Sequence, residues 1–101
     1  MKFMAIIDVV PGAPLEILRA DLPNEVRESW KLFAAGAIRE AYATDAPTRV
    51  VFVLEAADAA GAAADLNNLP LIRAGLLAYE LIELRPFANW SLLFARGSPS
   101  P

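Results

Sequence analysis

The segment LPLIRAGLLAYELIELRPF, Leu69–Phe87, contains a strand that is apolar at almost every position from Gly75 to Leu84. A strand of an antiparallel sheet with one face in water alternates between apolar and polar side chains. We therefore expect this strand to be covered on both faces. The chain has 101 residues, enough for one domain, so few elements are left to provide the second cover.

Three more strands are predicted before this segment. Residues Lys2–Val10 are rich in β-branched and apolar side chains and stop at the turn pair Pro11-Gly12. Residues 37–43 and 49–55 are joined by the short polar loop TDAPT, which is typical of a β-hairpin.

The first helix is predicted to begin near Asp21, which can cap it, with Pro23 tolerated in its first turn. Residues 14–20 have helical spacing but are short enough to form a single turn. Gly36 is expected to end the helix by adopting a positive φ. The face that must be buried consists of side chains at helical spacing, namely Val26, Trp30, Phe33 and Ala37.

A second helix is predicted after Asp58, which can cap it, and its small residues let it lie close to a sheet. The order is then β-α-β-β-α-β, the split-βαβ or ferredoxin-like arrangement of the α+β class. Right-handed crossovers place both helices on one face of a four-stranded antiparallel sheet. We predict one domain over residues 1–96, followed by a flexible tail over residues 97–101.

The sheet face away from the helices has no element of the chain left to cover it. Exposing roughly eight medium-sized apolar side chains there would forgo ~1.5–3 kcal/mol apiece, and soluble monomers rarely show such a patch. We therefore predict a homodimer, sheet against sheet, which an Asp at Ile6 or Phe52 would disrupt. Assembly beyond the dimer stays open.

Composition excludes several kinds of site. The chain has no Cys and no His, so thiolate nucleophiles, sulfur-bound metals and the commonest general base are absent. The net charge is −3, without a cluster of Lys or Arg, which argues against nucleic-acid binding. We find no Gly-rich phosphate loop and no metal-ligand spacing, and so expect no cofactor and no metal.

No segment approaches the ~20 apolar residues that span a bilayer, so no membrane association is expected. The first apolar run is interrupted by Asp8 and does not resemble a signal peptide. These features favour a cytoplasmic protein. Frequent Ala, and Arg in preference to Lys, suggest a bacterial genome.

Short matches along most of the chain resemble the muconolactone isomerase-like family of dimeric α+β barrels. The opening MKFMAIIDVV is similar to the family's first strand, with Phe3, Asp8 and Val9 in place. The run Asn24–Arg27 resembles the Asn-Glu-apolar-basic start of its first helix. Leu69-Pro70-Leu71 resembles the lead into its last strand, and Arg85-Pro86 follows at about the family's spacing.

The resemblance implies a symmetric dimer whose two sheets close a barrel. It also implies cofactor-independent proton transfer on a small cyclic or lactone-type metabolite. In the family a carboxylate on the first helix is thought to shuttle the proton, and Trp30 occupies that position here. An indole cannot do so, and we therefore expect an isomerase-like enzyme that does not act on muconolactone itself.

Two alternatives stay open beside the isomerase. One is a non-catalytic small-molecule-binding or assembly protein of the same fold, which the absence of His and Cys and the presence of Trp30 support. The other is a cofactor-free monooxygenase, a chemistry that other dimeric barrels host.

Asp8 and Tyr42 are candidates for the acid–base chemistry. Asp8, near the end of an apolar strand, could be a desolvated base with a raised pKa, or could cap the turn or meet an Arg. Tyr42 and Glu40 are predicted to share a face of the second strand with Ile38. They could act as an acid–base pair or belong to an exposed ion set with nearby Arg residues, Arg39 and Arg49.

Glu80 is the third candidate catalytic residue. Its neighbours on the fourth strand are apolar, so its carboxylate must pair, with Arg73 or Arg85 in reach, or shift its pKa. A structural salt bridge at the dimer seam is the alternative explanation, and it is the one we favour.

Trp30, Phe33 and Arg73 are the candidate substrate-binding residues. Trp30 and Phe33 could form the floor of a pocket by stacking on a ring, or could be ordinary core. Arg73 could clamp a carboxylate, or serve solubility. The aromatic segment Phe87–Phe94 could close a cleft, or pack against another dimer.

Overall fold

The computed structural model describes residues 1–94. Residues 95 and 96 of the predicted domain and the predicted tail over residues 97–101 lie outside the described residues.

The chain forms a four-stranded antiparallel sheet in the order β2-β3-β1-β4. The strands are β1 (Lys2–Val9), β2 (Ile38–Ala43), β3 (Val50–Glu55) and β4 (Leu77–Leu84), and the helices are α1 (Leu15–Ala34), α2 (Ala59–Asn67) and α3 (Pro70–Arg73). A 3₁₀ helix, Ala88–Leu93, follows β4. The predicted α+β class and ferredoxin-like order are confirmed, with α3 as an addition.

Helix α1 begins at Leu15, so the predicted start near Asp21 is wrong, and Pro23 lies in the helix interior. The carbonyl of Pro14 accepts the backbone N–H groups of Ile17 and Leu18 and so closes the first turn well before Asp21. Pro23 removes one backbone hydrogen bond from α1 and destabilises the helix by roughly 3 kcal/mol, yet the helix continues past it. The capping residue Asp21 and the first-turn residue Pro23 therefore do not locate the start of α1.

The end of α1 and the start of α2 follow the predicted signals. Gly36 has φ 85° and ends α1, and the N–H of Ala37 donates a hydrogen bond of 2.9 Å to the carbonyl of Leu32. Asp58 caps α2 by accepting the N–H of Gly61 at 2.8 Å. Both predictions are confirmed.

The two faces of the sheet are distinct. On β1, Phe3, Ala5 and Ile7 are buried beneath the helices, whereas Ile6 points to the opposite face, called here the open face. Residues paired across strands point to the same face. Phe52 pairs with Ala5 and so faces the helices, which means that the expectation of Phe52 in the seam beside Ile6 is wrong.

A bulge in β2 shifts the predicted alternation of its side chains. Ile38 pairs with Leu54, but the next paired residue is Glu40, opposite Val53, so Arg39 is an extra residue. Ile38 is therefore buried toward the helices, while Glu40 and Tyr42 lie on the open face. The expectation that all three share a side is wrong because of this bulge.

The buried core lies between the sheet and the α2–α3 side, with Leu66, Leu69 and Leu71 fully covered. Val26, Trp30 and Phe33 on α1 are 58%, 65% and 45% exposed, so the predicted burial of this stripe is wrong for the single chain. No helix within residues 1–94 is long and apolar enough to cross a membrane.

Candidate active-site cleft

A cleft lies between α1 and the helix-facing side of the sheet. Its outer compartment is about 280 Å³ and its inner compartment about 120 Å³. Val26, Ser29 and Phe52 line both, so the compartments adjoin. The outer lining is completed by Trp30, Phe33, Ile38 and Ala41, and the inner one by Ile7, Leu22, Glu25, Val50 and Leu77. The walls are therefore almost entirely apolar.

Glu25 places a carboxylate in the inner compartment. Its residue is 7% exposed, and among residues 1–94 it is the one buried polar or charged side chain. Oε1 accepts the backbone N–H of Leu71 at 2.8 Å. Burial raises the pKa of Glu25, the hydrogen bond from Leu71 partly opposes this, and the nearby negative charge of Asp21 adds to it.

The segment Leu69-Pro70-Leu71 supplies the partner of Glu25. Pro70 begins α3 and carries no N–H, and the N–H of Leu71 lies in the first turn, where no helical carbonyl can accept it. The Glu25 carboxylate accepts a hydrogen bond from this N–H and thereby connects α1 to α3. The hydrogen bond explains how a carboxylate can be buried in an apolar setting.

Glu25 suits acid–base chemistry for the same reasons. A carboxyl group with a raised pKa takes up and returns a proton more readily near neutral pH than an ordinary Glu. Perturbed carboxyl groups in clefts are candidate functional residues, although structural networks perturb pKa values as well. The bond to Leu71 also fits a structural role, so the two roles must be separated by experiment.

The outer compartment offers an aromatic wall. The rings of Trp30 and Phe33 are stacked, with centroids 5.2 Å apart and planes at 27°. The Ser29 hydroxyl, which lines both compartments, donates to the carbonyl of Val26 at 2.8 Å, and its oxygen can still accept a hydrogen bond. A flat ring could lie against the aromatic wall, with its polar substituents toward Ser29 and Glu25.

The predicted catalytic residues lie on the other side of the sheet. Asp8 makes a two-point ion pair with Arg49, with Nε–Oδ1 2.7 Å and Nη2–Oδ2 2.8 Å. This partner lowers the pKa of Asp8, so the interpretation of Asp8 as a base with a raised pKa is wrong, and the other interpretation, a carboxylate that meets an Arg, is confirmed. Tyr42 donates to Glu40 at 2.9 Å, which raises the pKa of Tyr42.

Glu80 also lies on the open face, opposite Ile6, and its charge acts on Arg49. The expected partners of Glu80 are engaged elsewhere: Arg85 pairs with Glu83 at 2.8 Å, and Arg73 donates to the Asn68 carbonyl. The expectation that either pairs with Glu80 is therefore wrong.

The predicted site residues thus fall into separate groups. Asp8, Tyr42 and Glu80 share the open face, Trp30 and Phe33 line the cleft, and Arg73 on α3 lines neither compartment. The expected ion set of Arg39, Glu40 and Arg49 does not form, since Arg39 donates to the Gly36 carbonyl at 2.6 Å and Arg49 pairs with Asp8. The catalytic and binding roles assigned to these residues stay predictions.

Sequence reasoning missed Glu25 as a site residue. A better stripe for the inner face of α1 runs at 4-3-4-3 spacing through Leu18, Leu22, Glu25, Ser29 and Leu32. A lone carboxylate within that stripe was the available signal. Within residues 1–94, no group of three or more His, Cys, Asp or Glu side chains is placed to hold a metal ion.

No protein-family model matches the sequence, and neither does any curated protein. In structure, the chain is similar to 5-chloro-2-hydroxyhydroquinone dehydrochlorinase TftG from Burkholderia phenoliruptrix AC1100, solved in complex with 2,5-dihydroxybenzoquinone. The TM-score is 0.68 at 19% sequence identity, over 84% of this chain and 94% of that one. The likeness supports the fold expected from the resemblance to muconolactone isomerase-like proteins.

Proposed function

We propose that this protein is a cofactor-independent enzyme that moves a proton on a small cyclic or lactone-type metabolite, with the cleft beneath α1 as its active site. The observation that carries the proposal is Glu25, a buried carboxyl group with a raised pKa in an apolar cleft. The likeness in fold to a dehydrochlorinase adds support, because removal of hydrogen chloride from a ring also requires a base.

In the proposed step, the ionised Glu25 takes a proton from a ring carbon beside a carbonyl group. The C–H electron pair passes into the ring as an enolate, and the neutral Glu25 then returns the proton to another ring carbon. The ring double bond moves and no electrons are gained or lost. The inner compartment is lined mainly by apolar side chains, which would disfavour the entry of water that could open a lactone.

The size of the cleft favours a single ring. The outer compartment, at about 280 Å³, lies at the lower end of the range of small-molecule pockets. The stacked pair Trp30–Phe33 would hold the ring, in agreement with their predicted role in substrate binding. The ligand in the structure of the similar protein, 2,5-dihydroxybenzoquinone, is a suitable first probe because it is one flat ring.

The proposal includes a homodimer formed through the open face. Apolar side chains, Met4, Ile6, Val51, Val53 and Ile82, lie on this face at its centre, and the Asp8–Arg49 pair lies toward one end. No helix within residues 1–94 covers this face. Burying these side chains against a second sheet would stabilise the dimer by the hydrophobic effect. In such a dimer Asp8, Tyr42 and Glu80 would lie near the seam.

A non-catalytic ligand-binding protein is the second candidate, because the Glu25–Leu71 hydrogen bond is also a plausible structural tie. A proton-transfer enzyme catalyses exchange of an acidic C–H in D₂O, whereas a binder does not. The experiment incubates the chain with 2,5-dihydroxybenzoquinone and with a panel of small unsaturated lactones, and follows deuterium incorporation by NMR. The monooxygenase alternative stays a prediction.

The decisive comparison uses two matched variants. Glu25→Gln keeps the size and hydrogen-bonding capacity of the side chain but cannot shuttle a proton, whereas Glu28→Gln changes a carboxylate one turn away that pairs with Lys31. Exchange that survives Glu25→Gln would contradict the assignment of Glu25. Binding without any exchange in the unmodified chain would favour the second candidate.

A further inference from the structure

The polar side-chain atoms of the cleft lining belong to three residues. Glu25 and Ser29 line the inner compartment, Ser29 and Trp30 line the outer one, and every other lining side chain is apolar. Ser29 is half-buried and is the one polar residue that lines both compartments. The hydrogen bonds that side chains of the cleft offer to a ligand are therefore set by these three residues.

Ser29 presents an acceptor to the cleft rather than a donor. Its hydroxyl proton is used within α1, where Oγ donates to the carbonyl of Val26 at 2.8 Å. The Oγ atom accepts no hydrogen bond from any residue within 1–94, although a hydroxyl oxygen has two lone pairs with which to do so. A ligand that bonds to Ser29 must therefore bring its own O–H or N–H group.

The ionised Glu25 carboxylate is a second acceptor beside Ser29. Its Oε1 accepts the N–H of Leu71, and Oε2 receives no donor from residues 1–94. Glu25 and Ser29 are four residues apart on α1, so their side chains lie on the same side of the helix with Cβ atoms about 5–6 Å apart. One six-membered ring can therefore contact both side chains. The one side-chain donor of the lining is the indole N–H of Trp30, in the outer compartment.

Among residues 1–94, no cationic side chain lines the cleft. The charge in the lining is that of Glu25, and Asp21 adds a second negative charge nearby. Arg73, the predicted carboxylate clamp, lines neither compartment and donates to the Asn68 carbonyl. A carboxylate carried into the cleft would lose its hydration without gaining a cation, and the negative charge of Glu25 would repel it.

We propose that Ser29 determines the specificity of the cleft by accepting a hydrogen bond from a ring hydroxyl group, so that the cleft selects hydroxylated single rings that carry no carboxylate. This inference rests on the proposed function and names the class of its substrate, which includes hydroxylated carbocycles and hydroxylated lactones. With the hydroxyl group on Ser29, a neighbouring ring C–H lies toward Oε2 of Glu25, the oxygen that is available to take the proton. Ser29 thus positions the ring as well as selecting it.

The test of Ser29 compares two rings of similar size, resorcinol and 1,3-difluorobenzene, by calorimetric titration. Resorcinol carries two hydroxyl donors, whereas the fluorine atoms of the second ring donate nothing. Ser29→Ala should weaken the binding of resorcinol about three- to tenfold, the usual value of one hydrogen bond, and should leave the affinity for 1,3-difluorobenzene unchanged. Ala also favours the helix, so α1 should be retained. The matched control Ser29→Thr keeps a hydroxyl group and should keep the affinity for resorcinol.

The test of charge selection uses a second pair of ligands on the unmodified chain. The two ligands, 3,5-dihydroxybenzyl alcohol and 3,5-dihydroxybenzoate, share their ring and both hydroxyl groups and differ in a neutral group against a carboxylate. We expect the benzoate to bind at least about tenfold more weakly than the alcohol, because the cleft offers it Glu25 and no cation. Equal or tighter binding of the benzoate would overturn the exclusion of carboxylates.

Three results would overturn the role of Ser29. Resorcinol might fail to bind the unmodified chain, or bind Ser29→Ala with unchanged affinity, and in either case Ser29 does not recognise a hydroxyl group. An equal loss of affinity for both rings would show that the substitution damages the cleft as a whole. These titrations do not need turnover, whereas the proposed function is judged by deuterium exchange in the unmodified chain and in Glu25→Gln. The specificity assigned to Ser29 and the proton transfer assigned to Glu25 can therefore fail separately.

Discussion

Glu25 Oε1 and the backbone N–H of Leu71 are joined by a 2.8 Å hydrogen bond across 46 residues of sequence. The bond holds the middle of α1 to the first turn of α3 and places a carboxylate in the inner compartment of the cleft. It satisfies one oxygen of that carboxylate, and no residue within 1–94 donates to the other. The same contact thus supports the fold and orients the proposed proton carrier.

Replacing Glu25 by Gln should lower the rate of proton exchange on the substrate by about 10²–10⁴, the usual contribution of general acid–base catalysis. The amide can still accept the Leu71 N–H, so the fold should be retained. The measurement is deuterium incorporation by NMR, with Glu28→Gln as the control. A loss of the same size in both variants would point to damage to α1 rather than to lost chemistry.

Glu25 should also make stability depend on pH. Because its pKa is raised in the folded state, the folded chain binds more protons than the unfolded chain between the ordinary value, about 4.3, and the raised one. The contribution of Glu25 is therefore fully present below about pH 4.3 and is lost as pH rises through the raised value. Plots of melting temperature against pH for the unmodified chain and for Glu25→Gln should differ in slope across this range. Parallel plots would contradict the prediction.

Trp30→Ala should weaken the binding of 2,5-dihydroxybenzoquinone about tenfold, because it removes one ring of the stacked wall. The side chain is 65% exposed, so stability should change little. Calorimetric titration gives the dissociation constants. Arg73→Ala is the comparison variant. A larger loss of affinity in Arg73→Ala than in Trp30→Ala would support the predicted carboxylate clamp and would contradict the cleft as the binding site.

Ile6→Asp and Phe52→Asp should fail in different ways, since these residues point to opposite faces of the sheet. Ile6→Asp would bury a charge in the proposed seam and should raise the dimer dissociation constant at least about a hundredfold, or ~3 kcal/mol, while the subunit stays folded. Phe52→Asp should unfold the subunit or fill the cleft with solvent. Light scattering and circular dichroism measure the two effects, and a folded Ile6→Asp chain of unchanged mass would count against the seam.

Asp8→Asn should leave proton exchange within a few-fold of the unmodified chain, because Asp8 lies on the far side of the sheet from the cleft and is held by Arg49. Its pKa is lowered in the folded state, so any stability it adds is present above its ordinary pKa and is lost as pH falls through the lowered one. A loss of exchange as large as that in Glu25→Gln would instead make Asp8 the acid–base residue.

The strands, the end of α1 and the start of α2 could be predicted because their signals are local. A turn pair stops β1, Gly36 ends α1 and Asp58 starts α2, each within a few residues of the boundary it sets. The start of α1 could not be found in this way, because Pro23 is a typical first-turn residue and here lies inside a longer helix.

The site could be predicted only in part. The spacing of Trp30 and Phe33 along α1 is enough to single them out, whereas their exposure depends on how far α1 lies from the sheet. Glu25 is a functional candidate only because a distant N–H, that of Leu71, allows its burial. Pairings of this kind are set by tertiary structure and leave little trace in a single sequence.

The bulge at Arg39 makes β2 unequally tolerant of one-residue deletions. Loss of Arg39 would leave a regular strand with Ile38 and Ala41 still turned toward the cleft and Glu40 and Tyr42 still turned away. Loss of Ala41 would put the remaining residues out of phase, and either the phenol of Tyr42 or the carboxylate of Glu40 would enter the apolar compartment. Strand β2 can therefore lose the residue at position 39 and still present its apolar side chains to the cleft and its polar side chains to the open face.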